Sequence, residues 1–549
     1  MRHIGPERLV QGVHAAVEQR GIERVPPGER HGRARGLFGV WFAANLGILS
    51  VVFGAILATF GLDLAQAVAV TVIATSSSFL LVGLVSVAGS WSGMPALTLS
   101  RRPLGRIGNL APAGVSWVSV LGWEVVASVV AAWALLNLAR LAFGLAASPP
   151  ADAAALGVVM ATSLVLGLLG HRAIVRFQHA AAVAFGALSL LLVPFLLAQT
   201  RWSDVAGGRA APLGAVLAAG SILAAGTGVS WVNLAPDYSR YLPRTERART
   251  VVAWVTIGAT IPTIVLVLTG YLLAARVHGL ATSLDPVGPV GAVLPAWLAA
   301  PYLLAAAGGM LAETDLACYS SGLTLLALGV RIRRSRTVLV DAGVVCIAGL
   351  WVMLGRQGFI GPFESFLELL AAGLAAWAGV VLADLVRART AARHGGVDRH
   401  YGSWAAIDGV GLAAWVSGTT VALTTTVSPF FTGPLARGVF GEGSFGFVLG
   451  LVTTLTVASA GWWYAGRRNT SKARLTDVAG VPPATAGPST PALAEALVVR
   501  AGAPGSHVAE GRTGEMLSKS RSAADDEANL RIIHEDKSIV LLPQRQDRP

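Results

Sequence analysis

Carboxylates stand inside hydrophobic sequence at Glu124 in LGWEVVAS and at Glu313 and Asp315 in MLAETDLACYSSGL. An acidic side chain within a membrane-spanning segment costs about 3 kcal/mol or more, so it marks a functional position by default. Loss of water favours the neutral acid, which lets such a group take up and release a proton during a transport cycle. A second polar cluster interrupts another apolar stretch, GVSWVNLAPDYSRYLPRTERART, from Gly228 to Thr250. An unbroken span carries about 20 apolar residues. Glycines, prolines and charges at depth break the helix, and the freed backbone must then line a cavity or face protein. Acids able to carry protons and a helix broken around a cavity are the chemistry of a transport site.

The elements that must position these groups follow from composition. Of 549 residues, 54% are hydrophobic and only 13% charged, with a mean hydropathy of +0.63, against roughly 25% charged in a soluble domain. The chain reads as a multi-pass membrane protein. Apolar runs give about twelve spans, at 37–61, 66–92, 112–139, 154–170, 180–199, 213–235, 251–275, 293–329, 337–354, 363–386, 403–426 and 444–465. Residues 1–36 form a polar segment with seven arginines, which is not a cleavable signal peptide.

Alternate loops carry seventeen arginines, among them Arg101, Arg172, Arg240, Arg331 and Arg387. The opposite loops carry five: Arg201, Arg209, Arg276, Arg356 and Arg437. Arginine-rich loops face the cytoplasm, so both termini are expected there, in a plasma or inner membrane. The formal charge of +12 is thereby a topology signal and implies no nucleic-acid partner. From residue 466 to 549, Pro, Ala, Gly, Ser and charged residues replace the apolar runs, as in a largely disordered cytoplasmic tail. Its short patch SIVLLP, Ser538–Pro543, either docks on a cytoplasmic partner or the membrane domain, or has no specific role.

Missing residues exclude other functions. All three lysines, Lys472, Lys519 and Lys537, lie in the tail, so the spans hold no Schiff-base lysine. All ten histidines fall in predicted loops or termini, which leaves an intramembrane histidine-ligated metal or haem without support. Cys318 and Cys346 are isolated in apolar segments, as small core residues rather than a disulfide framework or a thiolate metal site. There is no GxxxxGK[ST] phosphate loop. A secondary transporter needs no cofactor, no resident metal and no catalytic residue, only a central site and two access states.

Four stretches carry a family resemblance. RVPPGERHGRARGLFGVWFAANLGI (Arg24–Ile48), SWVNLAPDYSRYLPRT (Ser230–Thr245), CYSSGLTLLALGV (Cys318–Val330) and FESFLELLAAGLAAWAGVVLADL (Phe363–Leu385) occur in order. They resemble spans one, six, eight and ten of the nucleobase:cation symporter family, in its purine-cytosine permease branch. The resemblance implies an all-α, leucine-transporter-like fold: two inverted repeats of five helices within 37–465, followed by two more. It also implies breaks near the bilayer midplane in spans one and six, here around Ala44-Asn45-Leu46-Gly47 and Gly226-Thr227-Gly228. Their exposed peptide groups would hydrogen-bond a heterocycle or hold a cation. Helix packing is the plainer role for either glycine taken singly.

Site residues are implied in the same way. Trp123 matches the aromatic residue that stacks on the planar substrate, an interaction worth roughly 1–3 kcal/mol, against the alternative of filling a helix interface. Members often place an amide four residues on, where this chain has Ala127, which puts base-edge recognition there in doubt. Gly228 stands where some members carry a second aromatic, leaving Trp231 to supply the other face. Ser230 offers a hydroxyl to a base edge or packs between helices, and Asn45 at the first break joins the substrate side. Sodium-coupled relatives place hydroxyl residues at the positions of Ala312 and Glu313. With one hydroxyl lost and the other replaced by an acid, Glu313 is a proton-coupling group, a substitute sodium ligand or a structural partner. Thr314 faces about 100° away from it, and Ala44 and Gly47 complete the cation side. Asp315 orients the substrate or span three, Glu124 makes a structural hydrogen bond or reads the base, and Asp237 and Arg240 serve pairing or gating.

The expected function is import of cytosine, a purine or a related planar heterocycle by cation symport, with the proton ahead of sodium. Allantoin, hydantoin, uracil and vitamins fit the same fold. A transport-inactive sensor or scaffold that signals through the tail is the alternative from another class, and a membrane enzyme is discouraged by the missing histidines and lysines.

Overall fold

The computed structural model describes residues 18, 20–478, 530–535 and 538–543, apart from 147, 201, 204–208, 278, 284, 356–359, 394–395, 403, 429–430, 439–440 and 442–444. Each expected span appears as helix. Span one is split into Gly36–Ala44 and Leu49–Thr59. Spans two to five are Leu64–Ser92, Leu110–Phe143, Pro149–Leu169 and His171–Ala198. Span six begins with Leu213–Ala224, and spans seven to nine are Ala248–Ala274, Ala296–Ala327 and Arg334–Gly355. Ile360–Arg393, Gly409–Thr424 and Gly446–Val478 complete the series as spans ten to twelve. Among the described residues nine helices are long and apolar enough to cross a membrane, and the bent pair of span one makes ten. Leu213–Val229 and Gly409–Thr424 are the two shorter apolar helices that fill out the twelve.

Local chemistry sets the boundaries. Span two starts at a reciprocal cap, in which the Asp63 carboxylate accepts from the Gln66 amide at 2.8 Å and the Gln66 side chain accepts from the Asp63 amide at 3.1 Å. It stops at Gly93, whose φ of +72° suits glycine alone. Span four opens with Ser148 as cap and Pro149 in the first turn. Span five starts at His171 rather than 180, so His171 and His179 are helical residues and not the loop residues expected. Charge misplaced that boundary: Arg172, Arg176 and two histidines look like loop, yet they form the polar first turns of one helix.

Packing shows the inverted repeat directly. Span two lies against span seven, three against eight, and four against nine, so helices five apart in sequence are neighbours. Spans one and six are the two broken members of the series. Span ten packs on three and eleven.

The chain divides into Met1–Arg467 and Arg468–Pro549. The disordered tail expected from residue 466 falls mostly on 479–529, outside the described residues, as do 1–17 of the N-terminal segment and the loop arginines Arg201 and Arg356. Within the second unit, the last helix continues to Val478, and Ser538–Pro543 pairs antiparallel with Leu530–Glu535.

Candidate functional site

The two helix breaks form where the sequence loses side chains that would hold a helix. The halves of span one meet at 59°. Span six widens into an irregular turn at Ala225–Val229, where Thr227 leaves helical space at φ −104°, ψ −108°, and resumes as Ala235–Ser239. Polar side chains satisfy the opened backbone. The Ser78 hydroxyl of span two accepts from the Gly228 amide at 3.2 Å and lies 3.1 Å from the Thr227 hydroxyl. Ser230 donates to the Thr227 and Gly226 carbonyls at 2.7 and 3.2 Å.

The glycines of this turn face different neighbours. A Cβ on Gly228 would strike the Ser78 carbonyl and the Phe79 amide, so this position is directed at span two and not into the cleft expected for a substrate contact. Gly226 faces the Phe53 ring instead, and Phe53 lies 6.5 Å from Trp123 at a tilt of 49°. Trp123, Phe53 and Gly226 thus meet between spans three, one and six. Trp231 stands edge-on to Trp41 of span one, at 5.7 Å and 85°.

Residues expected on the cation side meet at the first break. The Leu46 carbonyl points at span eight, where a Cβ on Gly309 would stand 2.8 Å away. Glu313 comes within 3.4 Å of the point where Gly47 would carry a Cβ, beside the Met310 methyl. It is 6% exposed and makes no ion pair or hydrogen bond among the described residues. Gln178 of span five donates to the Ala312 carbonyl at 2.7 Å. The Thr314 hydroxyl is spent on the Met310 carbonyl at 2.9 Å. Asn45 donates to the Trp41 carbonyl at 2.8 Å and accepts from Thr263 at 3.5 Å, which ties it to the break and to span seven rather than to the cleft.

Asp315 and Glu124 lie elsewhere. Two residues past Glu313 is about 200° around a helix, and Asp315 is fully buried toward span four, where the Ser163 hydroxyl stands beside it. That geometry turns it toward spans three and four. Glu124, one residue from Trp123, turns to span nine. Its carboxylate, the Cys318 sulfur and the Asp341 carboxylate lie within 4.8 Å of one another. Asp341, in VLVDAGVV, escaped the sequence reading although the rule that picks out acids in apolar spans applies to it equally.

Asp237 and Arg240 find separate partners. Asp237 accepts from the Ala96 amide at 2.7 Å and caps the short helix Ala96–Leu99. Arg240 is fully buried and donates to the Gly21 carbonyl at 2.7 Å, the Tyr319 hydroxyl at 2.8 Å and Glu18 at 3.2 Å. Glu18 also receives the His171 amide at 2.8 Å and Arg334 at 3.6 Å. Gly170, at φ +83°, makes room for it. Burial pushes the Glu18 carboxyl up, but Arg334, Arg240, the Tyr241 hydroxyl and the His171 amide outweigh burial and hold it below its ordinary value. Nothing in the polar N-terminal sequence marked Glu18, because its partners come from spans five, six, eight and nine.

Paired breaks, five-apart helix pairing and a carboxylate beside the first break describe a membrane bundle of the inverted-repeat transporter kind. A family profile described as permease for cytosine/purines, uracil, thiamine, allantoin matches residues 24–450, and the chain belongs to that family. Among relatives, YxlA of Bacillus subtilis is 24% identical over 457 residues, 79% of this chain and 93% of that protein. The purine-cytosine permease fcyB of Emericella nidulans is 25% identical over 465 residues, 79% of this chain and 86% of its own length. Among solved structures, Mhp1, a nucleobase-cation-symport-1 family transporter in a closed conformation with bromovinylhydantoin bound, superposes with a TM-score of 0.66. It is 19% identical and covers 82% of this chain and 96% of its own.

Proposed function

We propose that this permease imports a nucleobase, cytosine or a purine, or a related planar heterocycle, by symport with a proton. The observation that carries the coupling is Glu313, a carboxylate set against the opened backbone of span one with no basic partner. A proton there neutralises a charge that would otherwise stand alone in a low-dielectric bundle. Trp123 supplies a stacking face, with Phe53 and the Gly226 turn closing the same space. The Leu46 carbonyl and the backbone of the two breaks supply polar contacts to cargo. The arginine-rich loops support a cytoplasmic side for both termini in a plasma or inner membrane, with a cytoplasmic partner for the tail.

Uptake of labelled cytosine and hypoxanthine into proteoliposomes, with proton and sodium gradients imposed separately, tests this reading. Proton-driven accumulation is expected, and Glu313→Gln should abolish it while leaving substrate exchange across the membrane intact. Sodium-driven accumulation overturns the coupling. Failure of both bases under both gradients moves the cargo to an allantoin-, uracil- or vitamin-like compound.

A further inference from the structure

We infer that Glu124 of span three and Asp341 of span nine share one proton, forming a protonation site in the scaffold separate from Glu313. Both side chains are fully buried. Neither oxygen of Glu124 has a hydrogen-bond partner, and Asp341 leaves Oδ2 without one, while its Oδ1 accepts from Ser321 of span eight. Two carboxylates this close cannot both ionise in a dry interior without a cation.

The surrounding elements supply no cation. Span eight contributes Asp315 and Cys318, span four the Ser163 hydroxyl and span three the Trp117 indole. No arginine, lysine or histidine faces the pair among the described residues. Arg334, on the same helix as Asp341, is committed to Glu18 and to the Gly167 carbonyl. One proton held between Glu124 and Asp341 Oδ2 turns an orphaned acceptor into a donor and leaves a single negative charge facing Ser321 and Cys318. Its departure would leave two like charges between spans three and nine, which pack directly on each other and on span eight. The occupancy of this site therefore biases the spacing of the helices packed around Trp123, whichever ion Glu313 handles.

Infrared spectra of the purified full-length chain in lipid nanodiscs test the assignment. At neutral pH the wild type minus Glu124→Gln difference should contain a carboxylic-acid C=O stretch, and Asp341→Asn should shift that band because the acceptor has changed. Glu313→Gln should leave it in place. Glutamine keeps a donor toward Asp341, so the first variant preserves the contact, and the second gives an independent reading. Absence of the band, or a band indifferent to both substitutions, overturns the proposal. So does a stoichiometric divalent metal ion that chelation removes from the wild type, since an ion would then occupy the place of the proton. Failed uptake with this band intact would count against the transport reading alone.

Discussion

Glu18 and the Glu124–Asp341 pair are buried acids in one bundle with opposite surroundings. Two arginines, two tyrosine hydroxyls and a backbone amide converge on Glu18, whereas the pair between spans three and nine has other acids, a thiol, hydroxyls and the Trp117 indole around it. A fully compensated charge fixes a contact, because removing either partner strands the other. An acid without a cation is held by a proton, which can leave. The first arrangement locks one face of the bundle, and the second can change charge within it.

The largest effect should come from breaking the compensated site. Arg240→Ala leaves Glu18 buried beside Arg334 alone, a class of change that costs about 3–5 kcal/mol. Thermal unfolding in detergent should show it, and adding Glu18→Gln should recover most of the loss. Damage from Arg240→Ala that Glu18→Gln does not reduce would mean that packing, not the stranded charge, holds this corner. Gly228→Ala comes next. Its methyl meets backbone of span two, and overpacking of this kind costs about 1–3 kcal/mol, read as a lower unfolding temperature whether or not substrate is present. A drop in substrate affinity with unchanged stability would return Gly228 to the cleft. Trp123→Ala should weaken nucleobase binding by about 5- to 150-fold, the equivalent of a stacking loss of roughly 1–3 kcal/mol. The ion that drives uptake should not change.

The fold was legible because its signals are local. Twelve apolar runs can each be read within one window of sequence, whereas the Ala44–Gly47 and Gly226–Gly228 breaks followed from the family resemblance. Glu313 stood out as an acid in an apolar run, and the fold sets it beside Gly47 of span one. Asp315 and Glu313 are two residues apart in sequence but on opposite sides of span eight, and only packing shows which side meets span one. Gly228 matched an aromatic position by alignment, yet the widened turn at Thr227 rotates it onto Ser78. Glu18 was invisible because a carboxylate in a polar terminus acquires meaning only from four distant helices.

The finest distinction lies between Glu18 and Asp398, two acids that both bind arginine. Asp398 pairs with Arg244 and Arg24 at the surface and is 67% exposed. The Arg244 hydrogen bond, with the charge of Arg24, holds its carboxyl down to about 2. Both acids have depressed folded values, so each stabilises the fold above the ordinary carboxylate range, and each contribution is lost as pH falls through the depressed value. The difference is solvent. An exposed pair is worth about 0–1 kcal/mol and is screened by salt, while the Glu18 cluster is shielded. Hydrogen exchange across residues 20–31 should therefore stay slow as pH falls past about 4.3, the ordinary glutamate value, and added salt should loosen it little. Asp398→Asn should alter that protection by a small amount that vanishes at high salt, whereas Glu18→Gln should speed exchange at every salt concentration. Equal salt sensitivity in the two variants would place Glu18 in water and erase the contrast with Glu124.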